Sequence, residues 1–225
     1  GLVGSEMCIR DRGCISKGYS YCGISEHTSH ISVAGGLDAG GFEKRLEEID
    51  RLNEKIEDIC ILKSAEVDIL EDGTLDLPDS VLKKMDLTTC SVHYKFNMDR
   101  DSQTERVIKA MDNPYFNILG HPTGRMINDR EPYEVDMERI LKAAAERGCI
   151  MELNAHPARL DINDVYCKRA KELGVKVAVC ADSHSISDLD NMKYGIGQAR
   201  RGWLEPGDII NTFTLNKLKR IIKRT

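Results

Sequence analysis

The feature that most constrains the fold is a regular alternation of short β-rich runs with longer segments of helical periodicity, which begins near residue 19. The β-rich runs cover residues 20–25, 59–67, 87–92, 116–119, 149–153 and 176–181. Helical periodicity predicts helices over 42–56, 133–147 and 162–173, and Gly148 and Gly174 stand where the last two would end. This alternation is typical of a parallel sheet with crossover helices. It favours a (β/α) barrel, while an open doubly wound sheet is compatible with the same pattern.

Composition places the chain among single-domain proteins. It has 225 residues, of which 41% are hydrophobic and 31% charged, enough to bury one sizeable core. No apolar run approaches the roughly 20 residues that span a bilayer, and the first residues lack the layout of a signal peptide. We therefore expect a cytoplasmic monomer without a membrane partner. The eight cysteines form no C-x-x-C pair, so neither a disulfide framework nor a zinc finger is indicated.

The charge distribution argues against a domain that binds nucleic acid by bulk electrostatics. The formal net charge is −5, whereas phosphate neutralisation requires clustered Lys and Arg. One basic run lies near the end of the chain and interleaves with apolar residues at helical spacing, which predicts a helix with a solvated basic face. Its cations are Lys217, Lys219, Arg220, Lys223 and Arg224. Gly195 and Gly197 follow a helical segment, so they do not indicate a dinucleotide-binding loop.

Imidazoles and carboxylates follow five of the six predicted strands. They are His27, Glu66, His93, His121, and Asp182 with His184. In a parallel barrel the carboxyl ends of the strands converge on one rim, where such folds place their active sites. Nitrogen and oxygen ligands suit Zn²⁺, Mn²⁺ or Fe²⁺. Each residue alone could be a packing residue or a helix cap, but together they predict a metal cluster. We assign His30 a structural or solvent role, and His156 has only its position after a strand in its favour.

Seven stretches of the sequence resemble the successive motifs of one known domain. They are GYSYCGISEHT, SAEVDILEDGTLDLPD, SVHYKFN, NILGHPTGR, ELNAHPARLDI, ADSH and YGIGQARRGWL. They resemble the polymerase-and-histidinol-phosphatase (PHP) domain of bacterial family X DNA polymerases (PolX) from about Gly18 onward. The resemblance implies an α/β fold, a distorted (β/α)7 TIM-like barrel, and up to three bound divalent ions, Mn²⁺ or Zn²⁺.

The resemblance also implies a role for each candidate ligand. Glu66 resembles the carboxylate that bridges two metals, and His93 and His121 resemble the remaining ligands of the second metal. Asp182 resembles a ligand of the first metal, and these four residues are the predicted catalytic set. His27 and His184 resemble ligands of the third metal.

The chain departs from the family pattern at its beginning. The family opens with an H-x-H segment, which is absent upstream of His27, so the resemblance implies an N-terminally truncated domain without its first strand and with impaired activity. Residues 1–12 have no clear period and look like non-native read-through, which leaves 13–225 as the predicted metallophosphoesterase domain.

The function implied by the resemblance is hydrolysis of phosphate esters by metal-activated water, as a 3′–5′ exonuclease and 3′-end phosphoesterase that acts on DNA ends. Lys95, Arg125 and Arg159 lie within a few residues of strand ends and are candidates to bind substrate phosphates, or else ordinary surface ion pairs. Two alternatives remain open. One is a small-molecule phosphatase of the histidinol-phosphatase type, and the other is a non-catalytic domain that braces a polymerase.

Overall fold

The protein is described from a computed structural model, which covers residues 12–29 and 35–223. Almost all of the segment 1–12 therefore lies outside the described residues, as do His30 and Arg224, for which the sequence also gave predictions. Among the described residues, none of the helices combines the length and the apolar character that a membrane-spanning helix needs.

A single sheet of six parallel strands forms the centre of the fold, and each strand pairs with the next one in the sequence. The strands are β1 (Tyr21–His27), β2 (Cys60–Asp68), β3 (Leu87–Ser91), β4 (Ile118–Leu119), β5 (Ile150–Asn154) and β6 (Val177–Cys180). Sequential parallel strands with right-handed crossovers place their helices on one side of the sheet, which curls around the other side as in a TIM-like barrel. The predicted fold class is confirmed.

The helices alternate with the strands as predicted. They are α1 (Ala39–Asn53), α2 (Asp79–Leu82), α3 (Arg100–Ala110), α4 (Met137–Arg147), α5 (Asp164–Glu172), α6 (Met192–Arg201) and α7 (Leu215–Ile222). Short 3-10 helices cover Ser187–Asn191, Pro206–Asp208 and Ile210–Thr212. An Asp or Asn side chain caps the N-terminus of α1, α3, α4 and α5 by accepting a backbone N–H of the first turn.

Helix boundaries differ from the prediction where a cap decides them. The helix predicted over 133–147 begins at Met137, because the Asp136 side chain accepts the Arg139 N–H at 3.1 Å. Tyr133 lies in the preceding loop, where its N–H donates to the Thr123 carbonyl. The predicted end at Gly148 is correct, since this glycine has the left-handed φ of 69° that ends a helix.

Apolar side chains fill the space on both sides of the strands and beneath their amino ends. The larger cluster lies between sheet and helices and includes Phe42, Val67 and Ile140. A second cluster joins residues at the amino ends of the strands to α7 and the segment before it. Its buried members are Leu62, Ile118, Ile150, Ala178, Ile210, Phe213, Leu218 and Ile222. The amino ends of the strands are thus covered by α7 with its predicted solvated face, and polar residues gather at the carboxyl ends.

Candidate metal centre

Four of the six predicted ligands meet at the carboxyl ends of neighbouring strands. His27 is the last residue of β1 and pairs in register with Glu66 of β2. His93 and His121 follow β3 and β4 by two residues each. The rings of His27 and His93 lie 5.4 Å apart between centroids, and those of His93 and His121 lie 4.9 Å apart, both edge to face.

The Glu66 carboxylate is the centre of this cluster. Its Oε1 atom lies 3.1 Å from His93 Nε2 and 3.1 Å from His121 Nε2. The Ser91 hydroxyl donates to the same oxygen at 2.9 Å. The other oxygen, Oε2, lies 3.7 Å from His27 Nδ1. One carboxylate therefore faces three imidazoles, with an orientation that the serine hydroxyl fixes.

The charges in the cluster are strongly coupled. Burial alone would raise the pKa of Glu66, but hydrogen bonds from His121 and His93 outweigh it and hold that pKa well below its usual value. Burial likewise acts to lower the pKa of His93, while hydrogen bonds to Asp68 and Glu66 raise it to about 9. The protonated His93 thus supplies positive charge that a divalent cation could replace.

Three observations indicate that the residues of this cluster suit a divalent cation. One ligand atom each from His27, Glu66 and His93 lies within 4.8 Å of the others. The Nδ1 atoms of His27 and His121 are buried and form no hydrogen bond within the described residues. His121 and Asp182 have positive φ angles of 24° and 50°, a strained backbone of the kind that clusters at functional sites. The donor set is imidazole and carboxylate, which Zn²⁺ and Mn²⁺ accept.

The remaining two predicted ligands lie on the sixth strand's side of the rim. Asp182 Oδ2 accepts a hydrogen bond from Asn154 Nδ2 at 3.0 Å and lies 3.3 Å from Arg159 Nε. The His184 side chain is 75% exposed, and its Nδ1 atom lies 3.0 Å from the Asp182 carbonyl oxygen. In the part of the chain that the structure describes, no hydrogen bond or ion pair joins His184 to the Glu66 cluster.

The candidate phosphate-binding residues have different surroundings. Lys95 is about half exposed and lies 3.6 Å from Glu71. Arg125 Nε donates to the Arg159 carbonyl at 2.8 Å, so this guanidinium holds the loop that carries Arg159. Arg159 itself reaches Asp182, and its Nη1 atom is buried without a hydrogen-bond partner among the described residues. His156 accepts the Ala158 N–H at 3.3 Å within the same loop.

Several polar residues of the site were missed by sequence reasoning. Asp68, Ser91, Glu152 and Asn154 are all buried at the rim. The sequence signal for three of them was a two-residue spacing, because residues two positions apart on a strand lie on the same face. Asp68 has this spacing from Glu66, and Glu152 has it from Asn154. The Glu152 carboxylate accepts the backbone N–H of His121. Burial, together with the nearby charges of Asp182 and Glu66, raises the pKa of Glu152 to about 7.

Gly120 leaves room for one of these contacts. A Cβ atom at this position would lie 2.2 Å from the Ser91 Oγ atom. Any larger residue would therefore displace the hydroxyl that donates to Glu66.

Comparison with known proteins identifies the family. No protein-family model matches the chain. The chain is, however, 35% identical over 233 residues to a probable phosphatase of Thermoanaerobacter sp. (strain X514), an alignment that covers 99% of this chain and 90% of that protein. The chain belongs to the PHP family. Within this family it is also 40% identical over 211 residues to the DNA polymerase/3′–5′ exonuclease PolX of Bacillus subtilis (strain 168).

The PolX match covers 94% of this chain but 37% of PolX, so the chain spans little more than a third of that relative. Among solved structures, a histidinol phosphate phosphatase from Lactococcus lactis subsp. lactis Il1403, complexed with zinc, L-histidinol and phosphate, has a TM-score of 0.60. It is 15% identical, with 88% of each chain covered, and shows a shared PHP fold. The similarity to phosphatases supports a hydrolase.

Proposed function

We propose that this chain hydrolyses phosphate esters with the help of divalent cations held around Glu66, and that its substrates are the 3′ ends of DNA. The reaction would be that of a 3′–5′ exonuclease and 3′-end phosphoesterase. The observation that carries the proposal is the approach of three imidazoles to one buried carboxylate at a barrel rim. The similarity to PolX supports the choice of DNA as the substrate.

The ligand set follows from the cluster. Glu66, His27, His93 and His121 would hold cations, with Asp182 and His184 as ligands on the other side of the rim. Up to three ions, Mn²⁺ or Zn²⁺, would bind. When bound, a divalent cation supplies Lewis-acid chemistry that activates water and offsets charge on the phosphoryl oxygens. Ser91 donates to Glu66 Oε1 at 2.9 Å and so fixes the orientation of the carboxylate that would hold the cations.

Substrate phosphate would be bound chiefly by Arg159. Its Nη1 atom has no partner in the described residues, and its Nε atom lies beside Asp182. A guanidinium can bind two phosphate oxygens at once. Arg125 supports this loop from behind by donating to the Arg159 carbonyl. Lys95 would add a point charge at the edge of the site.

A small-molecule phosphatase is the second candidate. The observation that favours it is the alignment with the probable phosphatase, which extends over 90% of that protein. A barrel of this length could thus act without a polymerase. The third possibility, a bracing domain without activity, gives no reason for a carboxylate and three imidazoles to converge.

The test compares substrates under one set of conditions. Release of phosphate or nucleotide is measured with Mn²⁺ from a 3′-phosphorylated oligonucleotide, an unmodified oligonucleotide, L-histidinol phosphate and p-nitrophenyl phosphate. The proposal predicts the highest kcat/KM for the oligonucleotides. A preference for histidinol phosphate would instead support the second candidate. Mn²⁺ binding is measured in parallel, so that cation binding and hydrolysis are followed separately.

Variants assign the activity to the site. Glu66→Gln should lower kcat/KM by more than about 100-fold. This exceeds the roughly 10–100-fold loss that is typical when a residue hydrogen-bonded to a metal ligand is replaced. Arg159→Ala should mainly raise KM. Arg220→Ala is the matched control, because this exposed arginine lies on α7 at the opposite end of the strands. Equal activity of Glu66→Gln and the unchanged chain would contradict the proposal.

A further inference from the structure

We propose that Asp68 is a positioning residue that holds the His93 ring in the tautomer required of a metal ligand. This inference rests on the proposed function, since it gives His93 a cation to bind. It assigns a role to a carboxylate that is not among the ligands predicted from the sequence. The role follows from the contacts of Asp68 with His93 and Thr28.

His93 is held between two carboxylates of one strand. Glu66 and Asp68 are two residues apart on β2, so their side chains emerge on the same face of the sheet. Glu66 Oε1 lies 3.1 Å from His93 Nε2, and Asp68 Oδ1 lies 2.6 Å from His93 Nδ1. A carboxylate accepts hydrogen bonds and does not donate them, so the proton of this contact belongs to Nδ1. Nε2 is then the nitrogen left to bind a cation beside Glu66.

The position of Asp68 is itself fixed by a second residue. The Thr28 hydroxyl donates to Asp68 Oδ2 at 3.3 Å, and it accepts the Asp68 backbone N–H at 3.2 Å. Thr28 is fully buried and Asp68 is 1% exposed. Thr28 directly follows β1, so this pair also joins β1 to β2 beside the cluster. Both oxygens of the carboxylate are thus engaged, which leaves it little freedom to rotate away from His93.

The other imidazoles of the cluster lack such support within the described residues. His121 places Nε2 at Glu66, but its Nδ1 atom is buried without a hydrogen-bond partner. His27 Nδ1 has no hydrogen-bond partner either. His93 is therefore the imidazole whose tautomer and ring orientation the protein sets in advance. Loss of Asp68 should weaken cation binding even though Asp68 is not a ligand.

A purely structural role for Asp68 makes a different prediction. If the carboxylate only joined β1 to β2 through Thr28, its replacement would lower thermal stability and leave the cation affinity of the folded protein unchanged. Thr28→Val separates the two roles, because it removes the hydroxyl and keeps the Asp68–His93 contact. Asp112→Asn is the matched control, since this exposed aspartate pairs with Arg147 on the helical side of the barrel.

The experiment measures Zn²⁺ affinity of the full 225-residue chain by competition with a chelating dye, with circular dichroism to verify folding. We expect Asp68→Asn to weaken binding by about 10–100-fold and Asp68→Ala by at least as much. Thr28→Val should have a smaller effect, and Asp112→Asn should stay within about twofold of the unchanged chain. Unchanged affinity in folded Asp68→Asn and Asp68→Ala would overturn the inference, while the proposed metal site would stand.

A measurement on the unchanged chain covers the case in which the variants do not fold. Long-range ¹H–¹⁵N NMR of the Zn²⁺-loaded chain reports which His93 nitrogen carries a proton. We expect a protonated Nδ1 and an unprotonated Nε2. A protonated Nε2 would overturn the inference. Failure of the unchanged chain to bind Zn²⁺ or Mn²⁺ would overturn the proposed function itself, and this inference with it.

Discussion

At the scale of single residues, the charges around Glu66 decide how the site responds to pH. The pKa of Glu66 is lowered and the pKa of His93 is raised, so both groups favour their charged forms. Both groups are largely buried, so each stabilises the charged form of the other. Protons and a divalent cation would bind the same ligand atoms in such a site, so they compete with each other.

This balance predicts the pH dependence of stability in chelator-treated protein. The lowered pKa of Glu66 stabilises the fold above its unfolded pKa of about 4.3, and this contribution is lost as the pH falls toward the folded value. The raised pKa of His93, about 9, stabilises the fold fully below the unfolded pKa of about 6.5. That contribution is lost as the pH rises from about 6.5 to 9. We therefore expect Tm to fall across this upper window, as measured by circular dichroism in EDTA.

His93→Gln is the variant that tests the assignment. It removes the titrating group and should flatten the fall in Tm between about pH 6.5 and 9. A slope identical to that of the unchanged chain would show that another group is responsible.

The predictability of the site also differs from residue to residue. His27, Glu66, His93 and His121 could be located from the sequence, because each comes at or just after a strand end and parallel strands share one rim. The two-residue spacing places Asp68 on the same face of its strand as Glu66. The sequence could not show which side chains of the neighbouring strands Asp68 and Glu152 contact, because this depends on the register between strands.

At the scale of elements, helix α6 shows how close packing limits sequence. Gly195 is buried on the face of α6 that packs against β6 and the end of β5. A Cβ atom there would lie 2.6 Å from Val179 Cγ1 and 2.7 Å from Ala155 Cβ. Gly197, two residues later on the same helix, has no neighbour within 4 Å of such an atom. The two glycines thus have opposite environments on one helix.

Alanine substitution should distinguish these two glycines. Gly197→Ala should raise the free energy of unfolding by about 0.5–1 kcal/mol, because alanine lowers the entropy cost of the helix. Gly195→Ala gains the same term, but overpacking costs about 1–3 kcal/mol, so we expect a net loss of stability. Urea denaturation measures both. Stabilisation by Gly195→Ala would mean that α6 does not pack against the sheet as described.

Helix ends were less predictable than helix existence. The apolar period around residues 133–147 correctly indicated α4, but it could not show that Tyr133 would leave the helix. That outcome depends on the Asp136 cap and on the hydrogen bond from the Tyr133 N–H to the Thr123 carbonyl. Helical periodicity does not report a contact between residues ten positions apart. Gly148 was predictable because a left-handed helix end strongly favours glycine.

At the scale of the whole molecule, the two ends of the strands differ in the residues that surround them. Apolar residues and α7 close the amino ends, while the carboxyl ends carry the polar cluster. The formal net charge is −5, so under the proposed function the attraction of DNA would come from a few cations near the site.

This distribution predicts weak and only mildly salt-dependent binding to DNA. The logarithm of the binding constant for a short oligonucleotide, measured in EDTA, should fall with the logarithm of salt concentration with a slope of about −1 to −2. Arg159→Ala should reduce the slope by about 1, and Arg220→Ala should leave it unchanged. A slope as steep as −6 would show that a broad basic surface binds DNA instead.

The central claim is that the residues around Glu66 bind a divalent cation, and anomalous diffraction from crystals equilibrated with Zn²⁺ tests it most directly. The account predicts an anomalous peak at about 2.0–2.2 Å from a Glu66 carboxylate oxygen and from an imidazole nitrogen of His93 or His121. Zinc peaks found only elsewhere on the molecule, with this cluster empty at a saturating concentration, would contradict it.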